Sequence, residues 1–167
     1  MSEILGFAIF FKVLFFAFLI FLTMLVNRMF KIEKISKFEW IYIGAFALID
    51  IISGVANIYV KLYFMFYLFM LVILFGIIYA YLKDKKGIFS FISVYSLFLV
   101  IVSIWGFTFA LDTMNVFKVY ILSILLSPVN PFSTLDLRLT LIIAILMHVC
   151  SLLGMLAWPK IREKVFK

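Results

Sequence analysis

Five long runs of apolar residues are separated along the chain by segments that are alternately rich and poor in lysine and arginine. The first run contains Lys12 and the second contains Asp50, whereas the third and fourth contain no charged residue. A helix of about 20 apolar residues crosses the hydrocarbon core of a bilayer, so each run is long enough to span it. The pattern predicts an all-α membrane protein with five transmembrane helices in a single domain, residues 1–167. The predicted spans are residues 4–27, 40–60, 62–82, 88–111 and 137–158.

A shorter apolar stretch, at about residues 116–127, lies between the fourth and fifth runs. Its uninterrupted part is too short to cross, because eight residues of helix rise only about 12 Å. Pro128 and Pro131 then break the backbone. We therefore predict a short interfacial or re-entrant half-helix on the outer side of the membrane. The Ser133 and Asp136 pair that follows resembles a capping box at the start of the fifth span.

The distribution of basic residues predicts how the chain is oriented. Cytoplasmic loops of membrane proteins collect lysine and arginine. With the N-terminus outside, the inner segments are residues 28–39, 83–87 and 159–167, and they hold 11 of the 15 basic residues. A sixth crossing would place the basic C-terminal tail outside. We therefore expect a multi-pass protein of the cell membrane, with its N-terminus outside and its C-terminus inside.

The composition supports a membrane protein and argues against other classes. Hydrophobic residues make up 68% of the chain and charged residues 14%, whereas soluble domains contain about 45–50% and about 25%. The net charge of +7 follows from the inner segments, so no nucleic-acid partner is expected. The single cysteine, Cys150, is expected to be a buried and inert thiol. The absence of glutamine favours a thermophilic source, although AT-rich coding has the same effect.

Three ionisable side chains fall inside the predicted spans, where such groups are costly and are candidates for function. Lys12, Asp50 and His148 lie at similar depths, about 12–15 Å from the outer ends of their helices. We expect a polar cluster in which Asp50 neutralises Lys12, His148 hydrogen-bonds to either residue, and Asn57 shares the face of Asp50. The cluster is interpreted as a structural pair that fixes helix register, with an ion relay or contact with a partner subunit as alternatives.

Small and hydroxyl-bearing residues recur at three- and four-residue steps on the second, fourth and fifth spans. Such stripes let helix backbones approach closely and form hydrogen bonds between helices. The third span has few small residues, and we expect it to face lipid or a partner. The predicted stripe consists of Ala47, Gly54, Ser93, Ser96, Ser103, Ala144 and Ser151.

The chain contains no recognised catalytic, phosphate-binding or metal-binding motif. We expect a non-enzymatic, cofactor-free accessory subunit of a larger membrane complex, with a respiratory or other energy-transducing assembly as the preferred host. Its expected partners are the lipid bilayer and other integral membrane subunits. One alternative is a small homo-oligomeric transporter or channel that uses Lys12, Asp50 and His148 as a relay. Another is a subunit that anchors haem through His148, although a second axial ligand would have to come from methionine or another chain.

Overall fold

A computed structural model describes residues 2–32, 35–59, 63–110, 122, 124–126 and 137–165. The regular structure of these residues is entirely α-helical. Five long helices cover most of the five apolar runs. They are α1 (Ser2–Met29), α2 (Lys37–Tyr59), α3 (Tyr63–Lys83), α4 (Lys86–Ala110) and α5 (Leu137–Leu156), and they are followed by the short basic helix α6 (Trp158–Val165).

Four of these helices are long and apolar enough to cross a membrane. The apolar stretches are Gly6–Met29 in α1, Phe66–Lys83 in α3, Lys86–Gly106 in α4 and Leu137–Leu156 in α5. The prediction of an all-helical membrane protein is confirmed to this extent. The remaining helix, α2, is 23 residues long and contains Glu39 and Asp50.

Consecutive helices from α1 to α5 run in opposite directions. Phe16 on α1 meets Phe46 on α2, and Phe46 in turn packs against Phe69 on α3. Near the opposite end of α3, Tyr81 packs against Phe89 at the start of α4. Helix α5 packs mainly along α4. The bundle is therefore an up-and-down arrangement in which each helix returns beside the previous one.

Helix α4 is the central helix of the bundle. Within its apolar stretch 72% of the residues are buried, compared with 28% in α1, 22% in α3 and 33% in α5. Its serine residues contribute to this position, because small side chains let other helices approach closely. Helix α3 presents Leu71, Leu74 and Ile78 to the outside, and its lipid-facing or partner-facing role stays a prediction.

Helices α1 and α3 end in the same type of turn. The N–H of Ile32 bonds to the carbonyl of Asn27, and the N–H of Lys85 bonds to the carbonyl of Ala80. A bond from the N–H of residue i+5 to the carbonyl of residue i defines a Schellman cap. In this cap residue i+4 has a left-handed backbone conformation and is usually glycine. Here Lys31 and Asp84 take that position, each with φ of 52°. A left-handed conformation costs a residue with a Cβ roughly 1–2 kcal/mol.

Glu39 caps the first turns of two helices at once. Its Oε2 accepts hydrogen bonds from the backbone N–H and the hydroxyl of Ser36, both over 2.7 Å, which forms a capping box at the start of α2. Its Oε1 accepts the backbone N–H of Gly87 over 3.1 Å in the first turn of α4. A Cβ at Gly87 would lie 2.7 Å from Oε1, so glycine permits this approach. The carboxylate joins the starts of α2 and α4.

Most of the predicted half-helix, and the predicted capping box at Ser133 and Asp136, lie outside the described residues. The parts that are described, residues 122 and 124–126, are helical and buried. Leu122 lies close to Gly106, near the C-terminal end of α4. This segment therefore packs against the bundle at the end of α4 that is remote from Lys86.

Candidate functional site

Lys12 and Asp50 form an ion pair inside the bundle. The Nζ of Lys12, on α1, donates a hydrogen bond to Oδ2 of Asp50, on α2, over 2.5 Å. Both side chains are completely buried. The antiparallel packing of α1 and α2 brings the two residues to one level. The two charges expected at similar depth are thus in direct contact.

Tyr95, on α4, completes this site, and the sequence interpretation missed it. Its hydroxyl donates a hydrogen bond to Oδ1 of Asp50 over 2.9 Å, and the side chain is fully buried. Asp50 therefore accepts a hydrogen bond on each carboxylate oxygen. A signal for Tyr95 was present, because it lies nine residues after Lys86, about 14 Å along the helix. A buried tyrosine hydroxyl at that depth needs a partner. We refer to Lys12, Asp50 and Tyr95 as the triad.

Phenylalanine rings enclose the triad. The rings of Phe15, Phe16, Phe46 and Phe69 all pack around Tyr95, with centroids 4.9–6.4 Å from its ring. Nζ of Lys12 lies 5.9 Å from the centroid of Phe15, a distance at which the ring face attracts a cation. Part of the high phenylalanine content thus builds an apolar shell around a charged pair. Charge interactions in such a shell are much stronger than in water.

His148 is positioned by α4 and not by the triad. Its Nδ1 lies 3.0 Å from the carbonyl oxygen of Ser93, 3.2 Å from the Ser93 hydroxyl and 3.4 Å from the hydroxyl of Ser96. Among the described residues, no hydrogen bond joins His148 to Lys12 or Asp50. The ring donates to this carbonyl in the tautomer that carries the proton on Nδ1. Among the described residues, His148 therefore lies apart from the triad, and the place of Asn57 in the predicted cluster stays a prediction.

The stripe residues are distributed along the interfaces of α4 and α5. Ser96, Ser103, Ala144 and Ser151 are completely buried, and Ser93 is nearly so. Ala47 is half-buried and packs against the core. The side chains of Gly54 and Asn57 lie outside the described part of the structure, so their predicted roles stay predictions. The hydroxyls of Ser96 and Ser151 bond to carbonyls of their own helices, and that of Ser96 also lies within reach of His148 on α5.

Gly154, which was not among the stripe residues, also permits close packing of α4 and α5. A Cβ there would overlap the ring of Phe89. The stripe on α5 therefore extends beyond Ser151 toward the C-terminal end of the helix.

Cys150 is exposed, so the prediction of a buried thiol is wrong. The reason is helical geometry: two residues after the inward-facing His148, the chain has rotated by more than half a turn. The Cys150 side chain therefore lies on the outer surface of α5. Within the described residues, no group of three or more histidine, cysteine, aspartate or glutamate side chains is placed to hold a metal ion.

The triad links three helices through one carboxylate. Lys12 comes from α1, Asp50 from α2 and Tyr95 from α4, so the loss of one member leaves a buried polar group with an incomplete set of partners. The same chain of hydrogen bonds can hold a proton between an amine, a carboxylate and a phenol. No protein-family model, curated protein or solved structure matches this chain.

Proposed function

We propose that the chain is a non-catalytic, cofactor-free accessory subunit of a larger complex in the cell membrane. The observation that supports this proposal most directly is the triad, a fully buried junction between three helices. The ammonium of Lys12 and the hydroxyl of Tyr95 each donate a hydrogen bond to one oxygen of Asp50 inside an aromatic shell. Such an arrangement favours a structural role for the charges over conduction or catalysis.

The proposed subunit crosses the membrane five times with its N-terminus outside. Helices α1 and α3 both run antiparallel to α2, so they are parallel to each other. The chain must therefore return across the membrane between them, and α2 is the segment that makes this return. At 23 residues α2 extends about 34 Å, which is enough to span. Asp50 is tolerated within it because Lys12 and Tyr95 satisfy both carboxylate oxygens.

Partner subunits and lipid are proposed to cover the outer faces of α1, α3 and α5. These faces expose large apolar side chains, including Phe10 on α1, Leu71 on α3 and Leu146 on α5, each at least 60% exposed. A respiratory or other energy-transducing assembly is the proposed host, because such assemblies commonly contain helical subunits without cofactors.

A haem-anchoring role is retained as a second candidate because of the geometry of His148. The bond between its Nδ1 and the Ser93 carbonyl is the kind of contact that orients ligating histidines and leaves Nε2 free to ligate. His148 is the single histidine of the chain. A second axial ligand would therefore have to be a methionine or come from another subunit.

Extraction in mild detergent, followed by native mass spectrometry and a visible absorption spectrum, separates these proposals. An accessory subunit is expected to purify with other membrane subunits and to show no haem absorbance after it is separated from them. A homo-oligomer that lacks other subunits would contradict the proposal and support the transporter or channel. Haem absorbance that remains with the isolated chain, and disappears in a His148→Ala variant, would support the anchoring role instead.

A further inference from the structure

A polar pocket lies at the end of the bundle where α1 and α3 end and α2 and α4 begin. Its volume is about 400 Å³, and three lysines and two carboxylates are among its lining residues. The lysines are Lys31, Lys85 and Lys86, and the carboxylates are Glu39 and Asp84. Each of the elements that form it is a helix end, so the pocket lies at the level where membrane helices meet lipid headgroups.

The Glu39 carboxylate already has hydrogen-bond partners within the protein. Both of its oxygens accept hydrogen bonds, Oε2 from Ser36 and Oε1 from the N–H of Gly87. Its charge is also opposed by the positive ends of the α2 and α4 helix dipoles. The three lysines, by contrast, form no ion pair within the described part of the chain. The pocket therefore presents an excess of positive charge to a ligand.

Two of the lining side chains are held there by backbone conformations that glycine would adopt more easily. Lys31 and Asp84 have φ of 52° in the caps of α1 and α3. Glycine would satisfy the same caps without the steric cost of a Cβ. Charged side chains nevertheless take both positions, and both line the pocket. Strain of this kind often marks a functional site.

Asp84 also has a hydrogen-bonding capacity that the described residues do not use. Its Oδ1 is buried and has no hydrogen-bond partner among them. Buried carboxylate oxygens without a partner are uncommon in folded proteins. A ligand in the pocket that carried a hydrogen-bond donor would satisfy this oxygen.

We infer that the pocket binds the headgroup of a glycerophospholipid, with the phosphate at the lysines and a headgroup donor, hydroxyl or ammonium, at Asp84. Lysine is a common partner of phosphate. The exposed side chain of Phe30, which also lines the pocket, provides an apolar surface for the acyl chains. This inference stands on the pocket and does not depend on the proposed subunit role.

The test measures lipid binding to the full-length protein in mild detergent by native mass spectrometry. Dioleoylphosphatidylglycerol is titrated against wild type and against the triple variant Lys31→Gln, Lys85→Gln, Lys86→Gln. Each lysine near a lipid phosphate contributes roughly a fivefold gain in affinity, so the triple variant is expected to bind about a hundredfold more weakly. Unchanged binding would overturn the inference.

A matched triple variant controls for overall charge. Lys83→Gln, Lys160→Gln and Lys164→Gln remove the same charge from positions that do not line the pocket. This control is expected to bind dioleoylphosphatidylglycerol like wild type. An equal loss in both triples would show attraction to the basic surface in general and would contradict a specific site. Tight binding of soluble glycerol 3-phosphate at the affinity of the lipid would also overturn the assignment to a lipid.

Asp84→Gly tests the donor part of the inference, since glycine accepts the left-handed conformation. Wild type is expected to prefer dioleoylphosphatidylethanolamine to dioleoylphosphatidylcholine, because the choline headgroup has no donor. The variant is expected to lose this preference. A preference that survived the substitution would overturn the role of Asp84.

Lys31→Gly separates ligand binding from folding. The variant is expected to melt at a higher temperature than wild type in the absence of added lipid, because the left-handed cap is relieved. Its affinity for dioleoylphosphatidylglycerol is expected to fall about fivefold, the contribution of one lysine near a phosphate. A variant that gained stability and kept full affinity would show that the ammonium of Lys31 does not contact the headgroup.

Discussion

Asp50 accepts the hydroxyl of Tyr95 on Oδ1 over 2.9 Å while Lys12 occupies its Oδ2. The two residues are 45 positions apart, on helices α2 and α4. The carboxylate therefore ties the central helix to two of its neighbours. Because all three side chains are completely buried, each group relies on the protein rather than on water for its polar contacts.

Replacement of Asp50 alone is expected to destabilise the protein strongly. Asp50→Asn leaves the Lys12 ammonium in an apolar shell without its counter-charge, and breaking a buried pair costs about 3–5 kcal/mol. The double variant Lys12→Met, Asp50→Asn removes both charges and is expected to be close to wild type, because no buried charge is left alone. Thermal unfolding in detergent measures both effects.

The same pair of variants separates a structural role from proton transfer. A structural triad predicts that the double variant assembles normally and supports normal activity of the host complex. A double variant that assembled normally but abolished that activity would contradict the structural role and favour a relay. If the double variant were as unstable as Asp50→Asn, mutual neutralisation of the two charges would not be the source of the pair's contribution to stability.

Tyr95→Phe is expected to destabilise the protein by about 1–3 kcal/mol, the cost of leaving a buried acceptor without its donor. The ring and its packing against the surrounding phenylalanines are retained, so the loss reports the hydroxyl. Tyr67→Phe is the matched control, because Tyr67 is 64% exposed. Chemical or thermal denaturation of the two variants should differ clearly. Equal stability of Tyr95→Phe and wild type would show that Asp50 is satisfied without it.

The helix bounds and the contact between Lys12 and Asp50 were accessible from the sequence for simple reasons. The length of an apolar run sets a membrane helix, and the rise per residue sets the depth of a charge within it. Two opposite charges at the same depth are expected to pair, because an unpaired charge inside a membrane is costly. This argument needs no knowledge of which helix packs against which.

Tyr95 and the true partner of His148 were missed because both depend on helix rotation and neighbour choice. Tyrosines near span ends are typical of the membrane interface. The sequence interpretation considered only those tyrosines and passed over Tyr95, which lies at mid-depth. Depth alone predicted that His148 lies level with Asp50. Helix α5 packs along α4, however, so Nδ1 of His148 lies beside the carbonyl of Ser93. Hydrophobic periodicity does not specify such lateral arrangements when most faces of a helix are apolar.

Glu39 was also missed, although its capping box is visible in the sequence Ser36-Lys37-Phe38-Glu39. The local motif explains the bonds to Ser36 alone. The bond to Gly87 crosses 48 residues and arises because α2 and α4 begin at the same end of the bundle. The contact between α2 and α4 therefore depends on tertiary packing, which the local motif does not specify.

The two bonds of Glu39 predict coupling between Glu39 and Gly87. Glu39→Ala removes a cap and is expected to cost about 1 kcal/mol or more, since such caps contribute roughly 0.5–2 kcal/mol. Gly87→Ala is expected to destabilise because its Cβ would lie 2.7 Å from Oε1. With Glu39→Ala already present that clash is absent, so the double variant should be less unstable than the sum. Strict additivity in a double-mutant cycle of thermal unfolding would contradict this contact.

The five-span topology predicts which side of the membrane each loop reaches. Single cysteines at Lys85, Lys34 and Asn130 are introduced into a Cys150→Ala background, because the native thiol is exposed on α5. A membrane-impermeant maleimide applied to intact cells is expected to label Asn130→Cys and to leave Lys34→Cys and Lys85→Cys unlabelled until the membrane is opened. The reason is that lysine-rich loops are retained in the cytoplasm.

Labelling of Lys85→Cys and Asn130→Cys from the same side would require an even number of crossings between them and would refute the single crossing by α4. Labelling of Lys34→Cys from outside would invert the whole arrangement.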